Sequence, residues 1–189
     1  IGDILRFGFE HSPAVRGVHF QPVSYFGRYP RPPENRDRIT LPEVLCAIER
    51  QTMGRVNISD FLPSACDHPR CGFHGDFVVL PEGLMKLTPK NQTNACCQPD
   101  GTEHLKSRNF VSRRWRRAAT QSTEQYCDND GFIYLDAFLD RVRTHGFTIT
   151  AMAFQDAYTL DVERLRRCSL HVYKDGKTIP FCVRYLTKC

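Results

Sequence analysis

Long apolar runs, nucleotide-binding glycine motifs and internal repeats are all missing from this sequence. No stretch approaches the ~20 apolar residues that a membrane-spanning helix needs, so we predict no transmembrane segment. Neither G-x-G-x-x-G nor a P-loop is present, which argues against the common nucleotide-binding domains. The first residues lack the basic start and apolar stretch of a secretory signal, and we therefore predict a cytoplasmic location. Because the chain starts at Ile1 rather than at Met, we interpret it as part of a longer protein.

Charge of one sign is not extreme either. The net charge of +5 comes partly from one basic run, RRWRR at 113–117. Such a balance permits contact with nucleic acid but does not require it. Because the run is isolated, we predict a solvated surface there and no nucleic-acid partner. The hydrophobic and charged fractions, 41% and 25%, are ordinary for a globular domain.

Cysteine is the residue type that the chain has in unusual number. There are nine, which is odd, and no export signal is visible, so a disulfide framework is disfavoured. In a reducing compartment, this many thiols indicates metal binding. The nine are Cys46, Cys66, Cys71, Cys96, Cys97, Cys127, Cys168, Cys182 and Cys189.

Local patterns predict an α/β fold. Thr40 is a candidate N-cap, and Glu43 completes a capping box for a helix that Gly54 ends. Asp175-Gly176 predicts a tight turn between strands at 169–173 and 178–183. The other predicted elements are strands at 15–23, 77–80, 84–87 and 147–154, a helix at 135–145 ended by Gly146, and a helix at 160–168 capped by Asp161.

Two pairs of cysteines are placed to meet in space. Cys66 and Cys71 form a C-x4-C pair in a loop. Cys168 and Cys182 lie at the two ends of the predicted terminal hairpin, with Cys182 on its returning strand. Because a hairpin brings its ends together, four thiolates can converge, as a [4Fe–4S] cluster or a tetrahedral zinc ion requires. The spacing alone leaves iron–sulfur and zinc equally open. Neighbouring arginines would lower thiolate pKa values and offset negative charge; they are Arg70, Arg164, Arg166 and Arg167.

Other cysteines and histidines are weaker candidates. The vicinal pair Cys96-Cys97 is an alternative source of a ligand, although neighbouring cysteines rarely both bind one centre. Cys46 falls off the apolar face of its predicted helix, and such a cysteine is usually inert. Three histidines near the paired cysteines are either zinc ligands, donors that orient the ligands, or ordinary core and surface residues; they are His68, His74 and His171.

Several blocks of sequence, in order along nearly the whole chain, resemble one group of radical S-adenosylmethionine (SAM) proteins. The blocks are VRGVHFQPVSYFGR at 15–28, ITLPE at 39–43, SDFLP at 59–63 followed by Cys66 and Cys71, MAFQDAY at 152–158, DVERLRRC at 161–168 and IPFC at 179–182. The group is the tetraether lipid synthase and class D methylase-like radical SAM proteins. The segment 88–130 matches nothing in that pattern.

The resemblance implies a fold, a cofactor set and an activity. It implies the last strand and exit loop of a partial (β/α) barrel at 1–38, followed at 39–189 by a small α+β domain that holds an auxiliary [4Fe–4S] cluster. It favours iron–sulfur over zinc at Cys66, Cys71, Cys168 and Cys182. The implied enzyme acts on an unreactive C–H bond of a small-molecule or lipid-like substrate, by lipid-type coupling or methyl transfer. Its electron donor would be a ferredoxin or flavodoxin. The C-x3-C-x2-C motif of the SAM-cleaving cluster is absent here, and we expect it upstream.

Three residues are candidates for the cofactor cleft, because active sites form at the C-terminal ends of barrel strands. They are Gln21, Tyr25 and Arg28. We expect SAM to be bound mainly by residues that precede this chain. Structural capping of the barrel is the alternative role for each of the three.

Two rival functions come from other classes. The first is a zinc-stabilised nucleic-acid-binding module that uses the basic run and Trp115. The second is a redox protein that uses Cys96-Cys97 as a thiol pair. Iron–sulfur colour distinguishes the metalloenzyme from the zinc module, and thiol titration would reveal the redox pair.

Overall fold

The computed structural model describes residues 1–26, 31, 33–64, 67–87, 105, 108–109, 112 and 130–186. Outside these ranges lie Arg28, Cys66, the vicinal pair at 96–97, Cys127, Cys189 and the basic run at 113–117. What the sequence predicts for those residues therefore stays a prediction.

A five-stranded mixed sheet forms the centre of the fold. Strands β1 (Gly17–Phe20) and β5 (Gly146–Met152) are parallel, and β5 pairs antiparallel with β3 (Gly72–Leu80). β3 also pairs antiparallel with β2 (Leu62–Pro63) and with β4 (Gly83–Lys86). The order across the sheet is β1-β5-β3-β2, with β4 attached to β3. The β3–β4 hairpin confirms the predicted one, although β3 begins five residues earlier than expected.

Two helices cover the sheet and bury the core. They are α1 (Gly2–Glu10) and α2 (Leu41–Gln51). Leu5 of α1 and Ile48 of α2 pack in one cluster with sheet residues that are also at most 1% exposed, among them Phe77 and Phe147. Full burial of a large apolar side chain contributes about 1.5–3 kcal/mol, so this cluster is a main source of stability.

The helix α2 begins and ends where its sequence predicts. The hydroxyl of Thr40 accepts from the N–H of Glu43, and the Glu43 carboxylate accepts from the N–H of Thr40 at 2.7 Å. Gly54 follows with φ +74°, and its N–H donates to the carbonyl of Glu49 at 2.9 Å. The predicted capping box and glycine stop are both confirmed.

The helix α3 (Asp130–Thr144) differs from its prediction mainly at its start. It starts five residues before position 135 but ends only one residue before the predicted His145. The N–H of His145 closes the last turn on the carbonyl of Arg141, and Gly146 then begins β5, opposite Val78. The helix therefore stops before Gly146, as predicted.

A second, two-stranded sheet lies near the end of the chain. The short helix α4 (Val162–Arg166) precedes strands β6 (His171–Lys174) and β7 (Lys177–Pro180), and α5 (Phe181–Leu186) follows. Asp161 caps α4 with its carboxylate, as predicted.

The turn between β6 and β7 has the predicted chemistry, but the end of the hairpin does not. Asp175 and Gly176 have φ angles of 51° and 77°, which is the left-handed pair that a two-residue hairpin turn requires. The last paired residue of β7 is Pro180, and the chain then turns into α5. Cys182 is therefore helical, and its prediction on a strand is wrong.

The predicted domain boundary at residue 38 falls between strands of the same sheet. β1 lies before it and pairs with β5 after it, with Gly17 opposite Thr148. The segments 1–38 and 39–189 thus share one sheet. The barrel origin of β1 and a separate cluster-binding domain stay predictions. Within the described ranges, no helix is long and apolar enough to cross a membrane.

Candidate metal centre and adjoining cleft

Cys71 lies directly before β3, where two backbone contacts hold it. Its N–H donates to the carbonyl of His68 (2.8 Å), and its carbonyl accepts from the N–H of Ala153 (2.9 Å), just beyond β5. The half-buried Sγ accepts a hydrogen bond from Nε of Arg164 at 3.4 Å. Arg164 also donates to the carbonyl of Ala153 at 2.8 Å. Its guanidinium is therefore held against this sulfur by a second contact.

Cys168 and Cys182 lie at the end of the β6–β7 hairpin that is opposite the turn. Cys168 follows α4, and Cys182 is the second residue of α5. The N–H of Phe181 donates to the carbonyl of Leu170 (2.9 Å), which extends the pairing towards both cysteines. Cys182 is 7% exposed, and its Sγ accepts from the N–H of Gln155 at 3.3 Å. The hairpin thus joins the two segments that carry these thiols.

The three described thiols are close enough to influence one another electrostatically. Burial raises the pKa of the Cys182 thiol above its usual value. The N–H of Gln155 and the charge of Arg164 oppose this rise in pKa, whereas Cys168 and Cys71 add to it. Negative charge on Cys168 or Cys71 therefore disfavours negative charge on Cys182.

Cys66 lies outside the described residues, but its neighbour Asp67 is anchored beside the hairpin. Oδ1 of Asp67 accepts from both the N–H (3.0 Å) and the hydroxyl (2.6 Å) of Ser169. Oδ2 accepts from the hydroxyl of Ser64 at 3.3 Å. Two hydrogen bonds thus join the residue after Cys66 to the residue after Cys168.

The described thiols do not form a site for a single ion. In the part of the chain that the structure describes, no group of three or more His, Cys, Asp or Glu side chains could hold a metal ion. A tetrahedral zinc ion gathers its sulfurs at about 2.3 Å from one centre. Each thiolate of an iron–sulfur cluster binds a different iron and can lie farther from the others. Which metal, if any, these thiols bind therefore stays a prediction.

A cleft of about 660 Å³, here named the Cys71 cleft, adjoins this centre. Aromatic and aliphatic side chains make up most of its lining and include Leu45, Phe61, Phe73 and Phe154. Arg70 and Gly72, on either side of Cys71, both line it, and so does Arg164. A ligand in this cleft would therefore lie next to Arg164, whose guanidinium contacts the Cys71 sulfur.

This chain is similar to a methyltransferase. The relative is the 7,8-dihydro-6-hydroxymethylpterin dimethyltransferase of Methanocaldococcus jannaschii, with 25% identity over 224 aligned residues. The match covers 96% of this chain and 44% of the relative, so the chain spans less than half of the relative's length. No family model matches the sequence. This similarity agrees with the predicted class D methylase-like group only in the general class of enzyme, one that transfers methyl groups.

No sequence pattern points to the buried ion pair beside the Cys71 cleft. The Asp156 side chain is 1% exposed and accepts two bonds from Arg38, at 3.0 and 3.2 Å. The N–H groups of Tyr25 and Tyr158 and the hydroxyl of Thr159 donate to the same carboxylate. Burial alone would raise the pKa of Asp156, but the hydrogen bonds from Arg38 and the two N–H groups hold it below its ordinary value. Because 118 residues separate Arg38 from Asp156, local spacing could not reveal the pair.

Two of the three predicted cofactor residues are described. Gln21 is exposed just after β1. Tyr25 donates its N–H to Asp156 (2.8 Å) and its hydroxyl to the carbonyl of Asp37 (2.6 Å), and Arg38 lies 5.0 Å from its ring centre. These contacts join Tyr25 to the buried ion pair, and neither Gln21 nor Tyr25 lines the Cys71 cleft. Cofactor binding by Gln21, Tyr25 and Arg28 stays a prediction.

The three histidines near the cysteines have different surroundings. His68 is 7% exposed; its Nδ1 accepts from the N–H of Arg70 at 3.2 Å, and its Nε2 lies 3.9 Å from the Glu163 carboxylate. His74 is half-buried in β3, and His171 is exposed in β6. Among the described residues, none of the three belongs to a group that could hold a metal ion.

Proposed function

We propose that this chain is part of a radical SAM methyltransferase in which four cysteines hold an auxiliary [4Fe–4S] cluster. The proposed ligands are Cys66, Cys71, Cys168 and Cys182. The observation that supports the proposal most is that contacts join the three segments that carry described thiols: Arg164 of α4 donates to the Cys71 sulfur, and the β6–β7 hairpin joins the segments of Cys168 and Cys182. The methyltransferase relative supports the class of enzyme.

The chain's own residues would bind the cluster and balance its charge. When bound, a [4Fe–4S] cluster supplies one-electron redox chemistry. Arg164 donates to Sγ of Cys71, and the N–H of Gln155 donates to Sγ of Cys182. Hydrogen bonds to ligand sulfurs stabilise their negative charge and shift the reduction potential. The burial of Cys182 keeps water away from this side of the centre.

For the whole enzyme we propose that SAM is cleaved reductively and that hydrogen is abstracted from an unreactive C–H bond of a small-molecule or lipid-like substrate. The C-x3-C-x2-C motif needed for cleavage is not among these 189 residues, so we assign that step to another part of the protein. The relative's methyl transfer to a pterin favours methyl transfer over lipid-type coupling as the outcome. A ferredoxin or flavodoxin would supply the electrons.

Single cysteine variants, purified without oxygen, test the cluster. We expect each of the four ligand variants to lose iron and sulfide relative to the unaltered protein; they are Cys66→Ser, Cys71→Ser, Cys168→Ser and Cys182→Ser. Cys46 is exposed on α2, so Cys46→Ser is the matched control and should keep both. Zinc in place of iron, or full iron and sulfide in all four variants, would show that the proposal is wrong.

A further inference from the structure

We propose that the Cys71 cleft binds a small organic anion with an apolar body and one carboxylate or phosphate group. The proposal goes beyond the function proposed above, because it depends on the lining of the cleft and not on a cluster. It would place that anion beside Arg164, whose guanidinium contacts the sulfur of Cys71.

The size and the lining of the cleft suit a small molecule. Its volume of about 660 Å³ falls within the roughly 300–1,000 Å³ that is typical of ligand pockets. Three phenylalanines line it, and Val23 and Ile39 are 53% and 39% exposed at its wall. A ligand with an apolar body would remove this surface from water, which is favourable.

Among the described residues, every charged side chain that lines the Cys71 cleft is basic. The three are Arg38, Arg70 and Arg164, and no described Asp or Glu lines it with them. Two of the three have carboxylate partners: Arg38 pairs with Asp156, and Arg70 with both Asp161 and Glu163. The preference for an anion therefore depends on Arg164, for which no ion pair is found among the described residues.

Of the residues that line the cleft, Arg164 should contribute most to a preference for an anionic ligand over a neutral one. Within the described residues, its side chain contacts the thiol of Cys71 and the carbonyl of Ala153 but no carboxylate. These contacts use only part of the guanidinium fork, so N–H donors remain for a carboxylate or phosphate. Because those two contacts also fix the guanidinium in place, little side-chain entropy would be lost when an anion binds.

Calorimetric titration with three probes that share a naphthalene body tests the proposal on the intact protein. The probes are 2-naphthoate, 2-naphthyl phosphate and the neutral 2-naphthamide. We expect one saturable site at which an anion binds at least about tenfold more tightly than the amide. The order of the two anions shows whether the site prefers a carboxylate or a phosphate. Equal affinity for the anions and the amide, or no binding, would overturn the proposal.

Variants locate the binding in the cleft. Arg164→Gln should bind 2-naphthoate as weakly as 2-naphthamide. The matched control Arg166→Gln changes an exposed residue of the same helix that is outside the lining and should keep the preference. Ile39→Asp adds a carboxylate at a partly exposed wall position and should weaken the binding of both anions but not of 2-naphthamide. Ile39→Asn should weaken the binding of the anions far less.

Two measurements distinguish loss of anion binding from misfolding and from loss of the metal centre. Circular dichroism melting shows whether Arg164→Gln is folded, and Ile39→Asp decides the question if it is not. Iron content, measured on the same samples, separates loss of the metal centre from loss of the anion site. Unchanged 2-naphthoate affinity in folded Arg164→Gln and in Ile39→Asp would place the binding elsewhere and refute the proposal.

Discussion

Replacement of Arg38 by methionine removes the cation from a buried ion pair and leaves the carboxylate of Asp156 behind. The Asp156 side chain is 1% exposed, and that of Arg38 is 20% exposed. Removal of one partner from a buried pair typically costs about 3–5 kcal/mol, because the remaining charge has lost its compensation. Tyr25, Tyr158 and Thr159 still donate to this carboxylate, so we expect a loss near the lower end, about 3 kcal/mol.

The loss of unfolding free energy in Arg38→Met should become smaller as the pH falls. In the unaltered protein the pKa of Asp156 is lowered, so its stabilisation is present above the unfolded value of about 3.9 and is lost as the pH falls through the folded pKa. Burial is the largest single influence on this carboxyl, so without Arg38 we expect its folded pKa to rise above the unfolded one. The variant then gains stability as its carboxyl is protonated. The difference in unfolding free energy between the unaltered protein and Arg38→Met should therefore shrink as the pH is lowered from about 7 towards 4.

Urea denaturation of the two proteins at several pH values measures both effects. Arg36→Met is the matched control, because Arg36 is 70% exposed and pairs with an exposed glutamate. That control should change the free energy of unfolding by no more than about 0.5 kcal/mol. A loss of less than about 1 kcal/mol in Arg38→Met, or a difference that does not change with pH, would refute the reasoning.

Three other perturbations test the fold and the proposed enzyme. Thr40→Ala removes the cap of α2 and should lower the free energy of unfolding by about 1 kcal/mol, measured in urea; an unchanged midpoint would contradict the capping role. Gly72→Ala would place a Cβ 2.5 Å from the carbonyl oxygen of Ala151 and should cost about 1–3 kcal/mol, measured by thermal denaturation; a neutral result would mean that the β3–β5 contact relaxes freely. The 189-residue chain, incubated without oxygen with SAM and a strong reductant, should form no 5′-deoxyadenosine, since it lacks the C-x3-C-x2-C motif. Product in a chromatographic assay would contradict that assignment.

Local chemistry predicted the parts of the fold that depend on neighbouring residues. The Thr40–Glu43 capping box and the Asp175-Gly176 turn involve contacts within a few positions, and both are present. The start of α3 shows where such reasoning fails. The helix begins at Asp130, five residues before the predicted position 135.

The candidate site depends on contacts between distant residues, which spacing alone cannot supply. Arg164 stands four positions before Cys168 in the sequence, yet its guanidinium contacts the sulfur of Cys71, 93 residues away. The buried pair of Arg38 with Asp156 has no local signal at all, although Asp156 falls in one of the blocks that carry the radical SAM resemblance. Only the sheet, which brings the start of β3 beside the end of β5, makes these contacts possible.

The four residues after β5 connect the thiols to the Cys71 cleft. Ala153 contacts Cys71 and Arg164, and the N–H of Gln155 donates to the sulfur of Cys182. Asp156 holds Arg38 at the wall of the cleft. An anion that accepts hydrogen bonds from Arg164 would therefore change the hydrogen bond to the Cys71 sulfur. It would also act on the segment whose backbone donates to the Cys182 sulfur. Because one short stretch of backbone carries all of these contacts, the cleft and the thiols can be coupled without any larger movement of the fold.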